Sequence, residues 1–109
     1  MGTAPGVKLD DNKCRLHQIL VQYFPRALMA VGEVSEFGAR KYCVGGWKSV
    51  PEARSRYTDA MVRHMLQEAM GEDVDEDSTL GHDAHLAWNA LARLELRIRE
   101  SELHQHDDV

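Results

Sequence analysis

From Leu80 to Ile98, apolar residues return at helical spacing: Leu80, Ala84, Ala87, Leu91, Leu94 and Ile98. Such a stripe covers one face of an α-helix and requires another element to cover it. No stretch shows the period-two alternation of a convincing strand, so the covering elements are expected to be helices as well. A second stripe follows Pro25, which suits a first helical turn because it lacks an N–H and its φ is preset. Leu28, Val31, Val34 and Gly38 fall on one side there, with Phe24 and Ala27 beside them, and the helix should run to about Lys41. Gly45 and Gly46 break the pattern into a loop. Ser49 and Glu52 have the spacing of a capping box, predicting a third helix to about Met70, with Gly71 placed as a C-terminal glycine. A short helix over Lys13 to Tyr23 and a last one capped by Ser78 or Thr79 and reaching about Glu100 complete the set. The expectation is an all-α bundle of three to four helices over residues 13–100, flanked by a loose arm (1–12) and a polar tail (101–109).

The chain has 109 residues, enough for one domain with a modest core, so an assembly that buries more surface is expected. Its net charge of −5 argues against a nucleic-acid binder. No apolar run is long enough to cross a bilayer, and the first residues lack the apolar core of a signal peptide. Cys14 and Cys43 stand alone, which suits free thiols in a reducing cytoplasm.

Several groups of residues have chemistry to offer, each with a plainer alternative. Glu33 and Glu36 lie one turn apart, on a different side from the apolar stripe, as half of a metal site or as a solvated face. His64, Glu68 and Glu72 follow at i, i+4 spacing near the apolar side of the third helix, where acids need a partner or a metal unless the helix ends first. Asp59 and Arg63 read as an ordinary i, i+4 pair. The run Glu72 to Asp77 is dense in carboxylates, as for a hard divalent cation or a charged turn. His82 and His85 have HxxH spacing, but no further ligand stands at a recognisable zinc spacing. His64 with His82-Asp83 has the residue types of an HD-type phosphohydrolase. Lys13, Arg15, Lys41, Arg63 and His64 offer charge for phosphates, and Trp47 offers either a base-stacking surface or a loop anchor.

Taken in order, these pieces resemble a known family. The sequence reads Lys13-x-Arg15-Leu16, FPRAL, GEVSEFGARKY, Trp47, DAMVRH, GEDVDEDSTLGHDAH and WNALARLEL, covering about residues 8–97. This ordered set resembles the small phage proteins described as dATP/dGTP diphosphohydrolases, which look like compact MazG-like nucleotide pyrophosphohydrolases. The resemblance implies hydrolysis of a purine (deoxy)nucleoside triphosphate, dGTP above all, to the monophosphate and pyrophosphate. It implies Mg²⁺ or Mn²⁺, with Glu33 and Glu36 as catalytic metal ligands. Glu72 and Asp75 would be the second pair, with Asp59 as a rival. Lys13, Arg15, Lys41, Trp47, Arg63, His64, His82 and His85 would face the nucleotide. It further implies a homodimer or homotetramer, and a place in the synthesis of 2-aminoadenine DNA in the host cytoplasm.

Overall fold

The computed structural model describes residues 12–107. It is all-α, as the sequence predicts, and among the described residues no strand forms beyond an isolated bridge between Val74 and Gly81. A single π-helical turn at His17–Val21 precedes α1 (Pro25–Lys41). A 3-10 turn at Gly46–Ser49 leads into α2 (Ala53–Ala69), and a loop connects this to the long α3 (His82–Asp107). α3 is the spine, with α2 packed along it and α1 resting on it less extensively. The expected N-terminal arm lies outside the described residues except for Asn12.

α1 begins at Pro25 and ends at Lys41, just before the glycine loop. Gly45 takes φ 79°, a left-handed conformation in which a Cβ would be strained. The glycine after α2 also does what its position predicts. Gly71 adopts φ 96°, its N–H bonds Glu68 O, and Glu72 N–H bonds Gln67 O. This is a Schellman closure, which turns the chain out of the helix and leaves Glu72 off it.

Three expectations are corrected. The helix predicted over Lys13 to Tyr23 reduces to one π-helical turn, with Leu16, Ile19, Leu20 and Val21 left exposed. A helix that short has little stability without a packed face, and its apolar side chains stay exposed among the described residues. The Ser49–Glu52 capping box does not form, because Ser49 is used by the 3-10 turn and Glu52 sits at the N-cap with φ 55° and no side-chain cap bond. α3 starts at His82 rather than beside Ser78, since Gly81 O accepts the N–H groups of Ala84 and His85. It continues to Asp107, through the segment read as a polar tail.

The buried face of α3 is not its apolar stripe. His82, His85, Asn89 and Ala92, at spacings of three, four and three, are the buried positions. Leu91, Leu94 and Ile98 of the predicted core stripe are instead 50%, 56% and 46% exposed. Among the described residues the buried hydrophobics are Val34 and Ala92, whereas His64, His82, His85 and Asn89 are buried and polar. An interior weighted this way requires partners for its polar groups.

Candidate functional site

The buried polar stripe of α3 meets His64 of α2. His64 and His82 face each other with Nδ1 atoms 2.8 Å apart, and the His64 and His85 rings stack at 4.5 Å with an interplanar angle of 10°. Asp75 completes the group from the loop. That loop folds back on itself: Asp75 N–H bonds Leu80 O, Thr79 N–H bonds Asp75 O, and His82 N–H bonds Asp73 O. The Ser78 N–H donates to Asp75 Oδ2 at 2.9 Å, closing the turn around the carboxylate. Thr79 takes φ 62° in the process, a conformation non-glycine residues rarely adopt.

His64, Asp75 and His82 each offer one ligand atom, all within 4.8 Å of one another. Burial, followed by the charges of His85 and His82, pushes His64 down to about 4. Burial also pushes His85 down, against the pull of Asp75. Burial raises the Asp75 carboxyl, but bonds from the Ser78 N–H and hydroxyl, with the imidazoles behind them, bring it below its usual range. At neutral pH His64 and His85 are therefore neutral and Asp75 is ionised, the forms that bind metals. His82 is 1% exposed and its Nε2 has no hydrogen-bond partner. The nearest carboxylate oxygen, Glu72 Oε1, is 3.5 Å away, too far for a good hydrogen bond. A buried nitrogen left without a partner, beside a second imidazole and two acids, fits the donor set of a divalent ion.

A groove of about 1220 Å³ opens beside this cluster, between α1, the glycine loop, α2 and α3. His85 lines it and so joins groove to cluster. One wall is aromatic. Tyr57 and Trp88 meet edge to face at 5.3 Å, and Trp47 and Trp88 at 6.1 Å. Tyr57 donates its hydroxyl to Trp47 O, and Trp88 Nε1–H donates to Ser35 Oγ at 2.8 Å, tying the wall to α1. Lys41, Arg56 and Asn89 bring polar groups to the lining. Lys41 Nζ reaches Asp77 Oδ2 at 3.1 Å across 36 residues of sequence, and that bond raises the Lys41 pKa. An added Cβ at Gly46 would lie 2.6 Å from Cys43 Sγ, so a side chain there would require the exposed Cys43 thiol to turn away.

The sequence-predicted residues fall into three places. His64, Asp75, His82 and His85 converge in the cluster, with half-buried Glu72 at its edge. Lys41, Trp47 and Glu36 line the groove, Glu36 also pairing with Arg40 at 3.2 Å. Glu33, Asp59, Arg63, Lys13 and Arg15 are exposed. Among the described residues no Asp59–Arg63 ion pair forms. Asp83, the acid of the HD reading, is exposed, and its hydrogen bond to Glu68 raises the Glu68 pKa; the acid beside the histidines is Asp75. Sequence reasoning assigned Ser78 only to a helix cap, whereas its Oγ lies 2.6 Å from His85 Nε2. Tyr57 and Trp88 also line the groove, and no local motif marks either residue for that place.

A family profile described as dATP/dGTP diphosphohydrolase, N-terminal, matches residues 3–106. No curated protein and no solved structure matches the chain.

Proposed function

Because the chain belongs to the dATP/dGTP diphosphohydrolase N-terminal family over nearly its whole length, we propose that it hydrolyses a purine (deoxy)nucleoside triphosphate between the α- and β-phosphates. Water adds at the α-phosphorus, and the products are the monophosphate and pyrophosphate. The observation that carries this reading is His85, which stacks on His64 of the three-ligand cluster while lining the aromatic groove. A base held in that groove would place its phosphates near the cluster.

His64, Asp75 and His82 would hold a divalent ion, with Glu72 beside it. When bound, such an ion supplies Lewis-acid stabilisation of phosphate charge and activation of water. Two imidazoles and a carboxylate suit Mn²⁺ or another first-row ion better than Mg²⁺, which favours oxygen ligands. Glu36 lines the groove, with Glu33 one turn earlier on α1, and we carry this pair forward as the place of an outer, Mg²⁺-like cation on the triphosphate. Lys41 and Arg56 supply charge to the phosphates, and the wall of Trp47, Tyr57 and Trp88 supplies the surface for a purine. The exposed Leu91, Leu94 and Ile98 support assembly into a homodimer or homotetramer. Service in phage 2-aminoadenine synthesis is proposed from the family resemblance.

The test is a panel of dGTP, GTP, dATP and dCTP with Mg²⁺ or Mn²⁺, with the products identified. Purine turnover to monophosphate and pyrophosphate is expected. No turnover of any nucleotide with either metal would refute hydrolysis and leave a helical binding protein. An HD-type enzyme would need Asp83 beside His64 and His82, whereas Asp83 is exposed and the acid of the cluster is Asp75.

A further inference from the structure

Asn89 is buried within α3, one helical turn from His85 and next to Trp88 of the aromatic wall, and it lines the groove. Its Nδ2 donates to His85 O at 2.8 Å. An amide turned the other way would set oxygen against oxygen at that distance, so the bond fixes which end of the side chain is left over. That end is Oδ1, an acceptor. It accepts no hydrogen bond among the described residues, yet it is not sealed off as Arg54 Nε, Gln67 Oε1 and His82 Nε2 are. The open space that Asn89 meets is the groove. The polar hydrogens of the wall beside it are already engaged, Tyr57 donating to Trp47 O and Trp88 Nε1–H to Ser35 Oγ. Asn89 Oδ1 is therefore a free acceptor next to the rings, and a buried acceptor is costly to leave without a donor. Phosphate oxygens are acceptors too, so they cannot serve as its partner. A donor on the nucleoside can.

We propose that Asn89 is a specificity-determining residue whose Oδ1 accepts a hydrogen bond from the exocyclic amino group of a purine stacked on the wall of Trp47, Tyr57 and Trp88. This rests on the proposed reading of the groove as a purine nucleotide site. The amino group is the donor that projects furthest from the ring edge, so it reaches a wall residue while the ring faces stay on the aromatic side chains. The bond to His85 O holds the acceptor in place before the base arrives, so little ordering remains to be done on binding. A purine that lacks the amino group, as hypoxanthine lacks that of guanine, fills the same space and leaves Oδ1 dry and unpaired. Selection then comes from the unpaired acceptor rather than from shape.

The test compares matched substrates on the full chain: dGTP with dITP, and dATP with the triphosphate of purine 2′-deoxyriboside. Within the preferred pair, deleting the amino group should lower wild-type kcat/KM about ten- to a hundredfold. In Asn89→Leu that ratio should shrink to within about threefold. Because the ratio is taken on one protein, any loss of folded material in the variant cancels. Equal wild-type turnover within both pairs overturns the proposal without recourse to a variant, and so does an Asn89→Leu protein that keeps the wild-type ratio. A third comparison, dGTP with 2′,3′-dideoxyguanosine triphosphate, checks the sugar. If Asn89→Leu erases discrimination against the dideoxy sugar and leaves the amino ratio intact, Asn89 reads the 3′-hydroxyl and the proposal falls. Binding can be followed without turnover, since the chain has two tryptophans and both stand in the wall. Titrating their fluorescence with the corresponding monophosphates should give the same ratios in Kd. If no nucleotide is hydrolysed but Asn89→Leu erases the amino ratio in Kd, the proposed hydrolysis falls and the recognition stands. If purines are hydrolysed with no amino discrimination, only the recognition falls.

Discussion

His64 and His82 meet Nδ1 to Nδ1 at 2.8 Å from two different helices, eighteen residues apart in sequence. At that distance one ring must donate and the other accept. Protonating both would place two cations in contact inside the protein.

This makes the metal-free fold sensitive to acid. His64 titrates at about 4 when folded, below its unfolded value of 6.5. Between those values the unfolded chain binds more protons, so stability falls as pH drops from 6.5 towards 4 and is level above. Asp75, also lowered, adds to the loss at the acid end. Denaturant melts in chelator should show a loss on the order of 1 kcal/mol between pH 7 and pH 5. His64→Gln should flatten the profile, and a wild-type midpoint unchanged from pH 7 to pH 4.5 would contradict the account.

The inner and outer cation positions should respond separately to substitution. Asp75→Asn removes the charged ligand of the cluster, so it should abolish the thermal shift produced by Mn²⁺ and lower kcat/KM at least about a hundredfold. Glu36→Gln should keep the Mn²⁺ shift and raise the Mg²⁺ concentration needed for turnover. Full activity of Glu36→Gln at every Mg²⁺ concentration would remove the outer position.

Trp88 ties α3 to α1 through Ser35. Trp88→Phe keeps an aromatic edge for Tyr57 but deletes the indole N–H, a loss of about 1 kcal/mol in equilibrium unfolding. Trp47→Leu, by contrast, should raise KM for the purine substrate several-fold and leave kcat within about twofold. A drop in kcat with KM unchanged would place Trp47 in the scaffold alone.

The uncovered stripe of α3 predicts self-association. Sedimentation should give a mass that is a multiple of the 12.3 kDa chain, and Leu94→Glu should reduce it to a single chain. A monomeric wild-type protein at micromolar concentration would leave the stripe without this explanation.

Local signals carried most of the fold. Pro25 and the glycines after Tyr42 bound α1, and Gly71 closes α2 by a backbone geometry that glycine favours. The His17–Val21 turn shows the limit of such signals, because its apolar residues have helical spacing yet stay exposed among the described residues. The site was less legible. Periodicity along α3 picks out its apolar residues, whereas the fold buries the neighbouring stripe of His82, His85, Asn89 and Ala92. That stripe is itself regular, and two histidines and an asparagine at core-like spacing were the available sign. Nothing local could bring Asp75 to His64, because a loop closed by Ser78 and strained at Thr79 makes that contact.

The tie between Lys41 and Asp77 joins the end of α1 to the acidic loop at the edge of the groove. A bare polyphosphate that recruits Lys41 strips Asp77 of its counter-charge and is repelled by the carboxylate it has uncovered. A polyphosphate arriving with its own divalent cation satisfies both groups at once. On the proposed chemistry, this surface ion pair would favour the cation-complexed nucleotide over the free one.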